Sequence, residues 1–273
     1  MCRFFIYFGE KKYYLFDLLY SPKHSILKQS YMQKYTPLLE KNNHRDHEFN
    51  VDGFGILTCN SYNNDYFLYT NTLPPWNDHN LKSITKMIRT KFIFSHIRAI
   101  KPFSPVSSVH VFNCHPFIFQ NYAWMHNGDV SQFLQFKYKI IKRIDNEFIP
   151  FIKGNSDSEH LFYLFLTFLK ENKNKNLIDI FNILFIWINE EIEGPSSLNI
   201  ALTDKQNIIC TRFIAHSTDN PPSLYYKSTR ESIMISSEPI FYCDDWILIE
   251  PNNILYFNKL QIEIKIQKIN FIK

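Results

Sequence analysis

Short apolar runs typical of β-strands lie in both terminal parts of this 273-residue chain, and helical patterns lie between them. The first run, residues 2–9, is rich in aromatic side chains and ends at Gly9, which predicts a strand buried on both faces. Residues 81–90 predict a helix, and two further helical segments are expected between about residues 129 and 193. Strands followed by helices and again by strands favour an α+β layered fold.

A strand pair joined by an asparagine-rich turn is predicted over residues 51–59 and 65–70. The sequence has no internal repeat and no linker long enough to separate two domains, so residues 2–273 are expected to form a single domain. The other predicted strands are FIFSHI (92–97), PFIFQNYAWM (116–125) and, from residue 197 onward, SLNIALTD, NIICTRFI, LYYK, IMISSE, WILIE, ILYFN and IEIKI.

The composition is that of a globular protein, because 45% of the residues are hydrophobic. The net charge is only +4 and the lysines are scattered among acidic residues, which gives no case for binding nucleic acid or a membrane. The longest apolar run, residues 177–188, is short for a membrane span and contains Asp179 and Asn182. It is therefore expected to be a buried helix.

The cysteines argue against a disulfide framework and against a structural zinc site, because they are odd in number and lack CxxC spacing. A reducing compartment is the simplest interpretation. The N-terminus has no small-residue cleavage site of a secretory signal, so a cytoplasmic protein is expected. The five cysteines are Cys2, Cys59, Cys114, Cys210 and Cys243.

A cysteine directly follows the initiator methionine. A free cysteine at the start of a strand is commonly just a buried structural residue. Removal of Met1, however, would leave Cys2 with a thiol of reference pKa about 8.5 and a free α-amine of reference pKa about 8. An amine that titrates near the working pH is an efficient general base, so Cys2 alone could supply both nucleophile and base.

Arg98 and the Asn127–Gly128 pair each follow a predicted strand, and each allows two interpretations. Arg98 is either a surface ion-pairing residue or a planar fork for a carboxylate, which arginine binds better than lysine does. Asn127–Gly128 is either a tight turn or an oxyanion hole. In the second case the asparagine amide and the glycine N–H would both point at one developing negative charge.

Residues 156–159, SDSE, match the capping box S-x-x-E directly before an apolar helical run. The cap would hold Asp157 in the first helical turn, where its carboxylate could accept the ammonium of an amino acid. The candidates then fit one reaction: Cys2 attacks a carbonyl, Asn127–Gly128 holds the oxyanion, and Arg98 and Asp157 grip an α-amino acid by its charged ends. The implied substrate is an amino acid with an amide on its side chain.

Short motifs follow one another along nearly the whole chain: MCR (1–3), DGFGI (52–56), HIR (96–98), HNGD (126–129), SDSE (156–159), SLNIALTD (197–204) and ISSEPI (235–240). In this order they resemble the class II glutamine amidotransferases, which belong to the N-terminal nucleophile hydrolases. NCHPFIF and AWMHNGD resemble the stand-alone subfamily most. That subfamily includes the amidotransferase-like subunit of the eukaryotic glutathione-degrading complex and γ-glutamyl hydrolases of thiol-histidine biosynthesis.

The resemblance implies a four-layer αββα sandwich with Cys2 at a sheet edge, and no metal or other cofactor. It also implies that the enzyme cleaves the γ-glutamyl amide of glutamine, or of a γ-glutamyl peptide such as glutathione, through a thioester on Cys2. In that reaction Asn127 and Gly128 form the oxyanion hole. Arg98 binds the substrate α-carboxylate, and Asp157 binds its α-amine.

The sequence departs from the family after Arg98, where the family usually has Ser or Thr three residues on and Gly close behind. Lys101 and Phe103 stand there instead. No synthase pattern follows the hydrolase motifs, so we expect no acceptor site for ammonia in this polypeptide. We therefore expect a peptidase-like or a synthase partner protein. The alternatives to hydrolysis are a weakly active or non-catalytic subunit of a larger complex, and a glutaminase subunit that supplies ammonia to a separate synthase.

Two other enzyme classes fit the sequence less well. A metalloenzyme would use His44, His47 and Glu48, but their order matches neither HExxH nor HxxEH, and a polar loop is favoured. A papain-like enzyme would pair Cys114 with a distant histidine, but NCHPF lacks the local signature of that family.

Overall fold

The structure is a computed structural model that describes residues 2–32, 49–60, 63–100, 108–241, 245–260 and 263–270. The chain forms two compact units. The first unit contains the described residues of Met1–Phe103, together with Val109–Pro116 and Ser223–Ile249. The second contains Phe117–Pro222 and the described residues of Ser104–Ser108 and Glu250–Lys273.

The first unit is built on a seven-stranded antiparallel sheet with the strand order β11-β9-β10-β1-β4-β2-β3. Its strands are β1 (Arg3–Tyr14), β2 (Phe54–Cys59), β3 (Tyr66–Asn71), β4 (Arg89–Ile97), β9 (Tyr225–Ser228), β10 (Ser232–Ser236) and β11 (Ile247–Leu248). Its helices are α1 (Leu15–Leu19), α2 (Ile26–Gln29) and α3 (His79–Met87).

β1 lies in the middle of this sheet, between β10 and β4, as expected for a strand buried on both faces. Its alternate residues Phe5 and Tyr7 pack in one core with residues of α1 and α2. β1 continues beyond the predicted end at Gly9, through an irregularity between Phe8 and Tyr13. Because β1 is paired on both sides, its first residue is held in place at the end of a central strand.

The second unit is built on a six-stranded antiparallel sheet with the strand order β13-β12-β8-β7-β6-β5. Its strands are β5 (Phe117–Phe119), β6 (Tyr122–Asp129), β7 (Ser196–Thr203), β8 (Asn207–Ala215), β12 (Asn253–Asn258) and β13 (Glu263–Lys268). Its helices are α4 (Phe133–Arg143), α5 (Asp157–Glu171) and α6 (Leu177–Glu191).

Trp124 of β6 anchors the core of the second unit. Its ring is fully buried. The ring centroid lies 5.6 Å from that of Phe162 in α5 and 6.0 Å from that of Phe181 in α6. The helix predicted over residues 177–188 is therefore a core helix. In the part of the chain that the structure describes, no helix is long and apolar enough to cross a membrane.

Two predictions about this unit were wrong. The region between residues 129 and 193 holds three helices, not two, because a segment with Pro150 and Gly154 separates α4 from α5. The single strand expected over residues 116–125 is the hairpin of β5 and β6, which turns at Gln120 and Asn121.

Candidate active site

Cys2 lies at the start of β1 with its thiol against the chain that leaves β4. The pairing of Arg3 with Ile97 brings the residue before β1 opposite the residues that follow β4. The backbone N–H of Ala99 lies 3.3 Å from the Cys2 sulfur, and the Ala99 carbonyl oxygen lies 3.5 Å from it. The two backbone groups of Ala99 therefore hold the Cys2 sulfur beside Arg98.

Arg98, the neighbour of Ala99, is almost fully buried, so it is not a surface ion-pairing residue. Its backbone N–H donates to the Gly53 carbonyl over 2.8 Å, and its guanidinium donates to the Asp52 carbonyl over 3.4 Å. The Asp52 carboxylate accepts from the backbone N–H of Ile100 over 2.7 Å. Asp52 and Gly53 of the DGFGI motif therefore hold residues 98–100 in place.

Gly53 is required at this position by space and by backbone conformation. Its φ is +117°, and a Cβ there would lie 2.6 Å from the Cys114 sulfur and 2.9 Å from the Asn71 carbonyl oxygen. Burial raises the pKa of the Cys114 thiol to about 11, so this cysteine stays protonated near neutral pH. Cys114 is thus a packing residue beside Gly53, which argues against the papain-like alternative.

In the second unit, Asn127 and Gly128 lie within β6, which continues to Asp129. They pair with Asn199 and Leu198 of β7, so the Asn-Gly sequence does not form a tight turn here. Asn127 is almost fully buried, and among the described residues neither atom of its side-chain amide has a hydrogen-bond partner. Buried amides rarely lack partners, so an amide left without one is suited to a bound group.

Asp157 is the first residue of α5, as the capping box predicts. Ser156 caps the helix by accepting from the backbone N–H of Glu159 over 3.3 Å. The Glu159 carboxylate accepts from the backbone N–H groups of Lys153 and Gly154, and burial raises its pKa. These hydrogen bonds therefore hold the first turn of α5, which includes Asp157, in place.

Two hydrogen bonds join the start of α5 to β6 and to the residue that follows β6. The Asp157 carboxylate accepts from the backbone N–H of Val130 over 3.0 Å, and the His126 ring lies 2.9 Å from the Ser158 hydroxyl. The second unit thus brings Asp157 together with the end of β6 that carries Asn127 and Gly128. The first unit brings Cys2 together with Arg98.

Several residues of the first unit have contacts that sequence reasoning did not anticipate, namely Arg3, His24, Asp52 and Glu238. Arg3, Asp52 and Glu238 lie in the motifs MCR, DGFGI and ISSEPI, but the motifs alone give them no role. His24 has no sequence signal at all.

The predictions for Lys101 and Phe103, and the metal site of His44, His47 and Glu48, fall outside the described residues. Among the residues that are described, no group of three or more His, Cys, Asp or Glu side chains could hold a metal ion.

Comparisons with known proteins agree with the motifs. The family model of class II glutamine amidotransferases matches residues 34–219. The probable glutamine amidotransferase DUG3 of Saccharomyces cerevisiae is 29% identical over 306 residues, which covers 96% of this chain and 83% of that protein.

The solved structures show the same fold. A glutamine aminotransferase class-II domain protein from Silicibacter pomeroyi has a TM-score of 0.69 at 23% identity, with full coverage of both chains. Glutamine phosphoribosylpyrophosphate amidotransferase from B. subtilis has a TM-score of 0.64 at 14% identity, over 98% of this chain and 49% of the other. With the two antiparallel sheets, these likenesses confirm the predicted α+β fold class of the N-terminal nucleophile hydrolase type.

Proposed function

The chain belongs to the class II glutamine amidotransferases, enzymes that hydrolyse the amide of glutamine, and from this membership we propose that Cys2 is its nucleophile. The proposed reaction cleaves the γ-glutamyl amide of glutamine, or of a γ-glutamyl peptide such as glutathione, through a thioester on Cys2. The observation that carries the proposal is the Cys2 thiol at 3.3 Å from the Ala99 N–H, directly beside the buried Arg98.

The thioester forms when the Cys2 sulfur attacks the γ-carbonyl carbon of the substrate. Removal of Met1 frees the Cys2 α-amine, which takes the thiol proton and then gives it to the departing amine. Water attacks the thioester next, and glutamate leaves with the thiol restored. The single residue Cys2 therefore acts as both nucleophile and base.

The oxyanion of each tetrahedral intermediate would be held by the Asn127 amide and the Gly128 N–H. The buried Asn127 amide has no hydrogen-bond partner among the described residues. This supports the role, because a donor is available without breaking another bond. Gly128 supports it as well. A Cβ at this position would lie 1.8 Å from the Ser197 carbonyl oxygen, so no side chain fits at this point of β6.

Recognition of the glutamyl group is proposed to come from Arg98 for the α-carboxylate and Asp157 for the α-amine. Arginine presents paired N–H donors that match a carboxylate. The Asp157 carboxylate accepts from the N–H groups of Val130 and Ser158 and from the Ser158 hydroxyl. A carboxylate has about four lone-pair sites, so about one is left for an ammonium.

A γ-glutamyl peptide is favoured over glutamine as the natural substrate by the resemblance to the stand-alone subfamily. We propose that a peptidase-like partner protein completes or improves the site, and that the enzyme works as one domain over residues 2–273 in the cytoplasm. The cytoplasmic location is proposed because the number and spacing of the cysteines favour a reducing compartment.

The test measures glutamate release from glutamine and from glutathione by the purified protein, first alone and then with proteins that co-purify under native conditions. We expect weak hydrolysis alone, a faster rate on glutathione, and an increase with the partner. The matched Cys2→Ala variant should release no glutamate. Efficient glutamine hydrolysis that exceeds the glutathione rate and is unchanged by any partner would overturn the choice of substrate.

A further inference from the structure

A buried carboxylate in the first unit has no part in the mechanism above. Glu238 follows β10 and is 1% exposed. Its Oε1 accepts from Nε of Arg3 over 2.9 Å, and its Oε2 lies 2.6 Å from Nε2 of His24. Arg3 and His24 are themselves 7% and 3% exposed, so this is an interior network.

Arg3 joins this network to the nucleophile. While its Nε binds Glu238, its Nη1 donates to the backbone carbonyl oxygen of Cys2 over 3.0 Å. The guanidinium is planar and rigid, so the position of Glu238 determines where the second N–H of the fork points. The Cys2 carbonyl is thus held through an ion pair between Arg3 and Glu238, which are 235 residues apart in the sequence.

Glu238 is fixed from its other side as well. The Gln29 side chain donates to the backbone carbonyls of both Glu238 and His24, over 3.1 Å each. The backbone of the preceding residue, Ser237, donates to the Phe4 carbonyl over 3.0 Å. The carboxylate therefore has little freedom to follow a displaced Arg3.

Stability alone is a weak reason for such a network. A buried ion pair costs much desolvation, and well-packed apolar residues often replace it without loss. Apolar packing is available in this part of the unit, because Phe5, which lies in β1 with Arg3, belongs to a core cluster with residues of α1 and α2. A geometric role explains better why charged groups stand here.

We propose that Glu238 and Arg3 are positioning residues that place Cys2 for attack on the substrate, an inference that rests on the proposed role of Cys2. Once Met1 is removed, one peptide bond joins Cys2 to the chain. The Arg3 contact fixes the carbonyl of that bond and hence the Cys2 Cα, and Ala99 fixes the sulfur. The two contacts together set the direction of the free α-amine, which is the proposed base.

The experiment compares Glu238→Gln, which keeps the shape but removes the charge, with Arg3→Lys, which keeps the charge but cannot reach both acceptors. Misplacement of a nucleophile by about 1 Å can cost about a hundredfold in rate. We expect kcat for glutamine hydrolysis to fall at least about tenfold in both variants, by the same geometric argument. KM should stay within about twofold, since Arg98 and Asp157 are untouched.

A second readout is alkylation of Cys2 by the glutamine analogue 6-diazo-5-oxo-L-norleucine, which should slow in proportion to kcat. The matched control is Glu171→Gln, which breaks the Arg143–Glu171 pair in the second unit and should leave both rates unchanged. Thermal melting shows how much of each variant is folded, and the rates are expressed per folded molecule.

The inference would be overturned by folded Glu238→Gln or Arg3→Lys protein with wild-type kcat and alkylation, or by a rise in KM at constant kcat. If one of these variants does not fold, the other decides the outcome. If neither folds, the network has a structural role only and the inference is overturned. Wild-type protein that hydrolyses neither glutamine nor glutathione and is not alkylated at Cys2 would instead overturn the proposed function and, with it, this inference.

Discussion

The backbone N–H of Val130 donates a 3.0 Å hydrogen bond to the Asp157 carboxylate, which joins the residue after β6 to the first turn of α5. One carboxylate thus connects the strand of the proposed oxyanion hole to the helix that carries the proposed ammonium site. Because Ser156 caps the helix independently, the two functions of Asp157 can be separated by mutation.

Asp157→Asn should lower kcat/KM for glutamine by about ten- to a hundredfold, because loss of a charged hydrogen bond costs about 1.5–3 kcal/mol. The amide oxygen can still accept from Val130, so we expect a folded protein. Steady-state kinetics and thermal melting measure the two effects. An unfolded variant whose remaining folded molecules have unchanged activity would show that Asp157 is structural only.

Active protein should begin at Cys2, because the free α-amine is the proposed general base. Intact-mass measurement of purified active enzyme should show the loss of Met1. Cys2→Ala should abolish alkylation by an electrophilic glutamine analogue. The control Cys114→Ala should leave it intact, because burial keeps that thiol protonated. Full activity with Met1 retained would contradict the proposal.

Arg98→Lys should raise KM and lower kcat/KM by about tenfold or more, because an ammonium cannot make the paired contacts of a guanidinium with a carboxylate. The control is Arg89→Lys at the other end of β4, where the side chain is exposed. That variant should keep wild-type kinetics. Equal kinetics for both variants would remove Arg98 from the binding site.

Several elements were predictable from sequence because a local pattern determines them. The first part of β1 follows from the apolar run over residues 4–8, and the start of α5 follows from SDSE. The β5–β6 hairpin was missed because its turn uses Gln120 at a φ of +52°, without the glycine that usually marks such a conformation.

Long-range pairing explains what else the sequence could not provide. Asn127–Gly128, the strongest turn signal in this region, lies in a strand because β7 pairs with both residues. The bond from Arg3 to Glu238 joins positions 235 residues apart, and no local pattern reports such a contact. The residue types at the candidate site were therefore predictable, whereas the side chains that hold them in place required the structure.

His160 should make the protein less stable as the pH falls below about 6.5. Burial lowers the pKa of its imidazole, while its Nδ1 lies 2.7 Å from the Ser156 carbonyl oxygen and its ring packs against Phe133. Between the unfolded pKa of about 6.5 and the lower folded pKa, the unfolded state binds more protons, so acid favours unfolding. The loss of unfolding free energy is at most about 1.4 kcal/mol per pH unit for one such group.

In urea unfolding from pH 8 to pH 5, His160→Asn should be less stable than wild type at pH 8, and the difference in unfolding free energy should narrow below pH 6.5. Parallel stability curves for the two proteins would contradict a buried neutral His160.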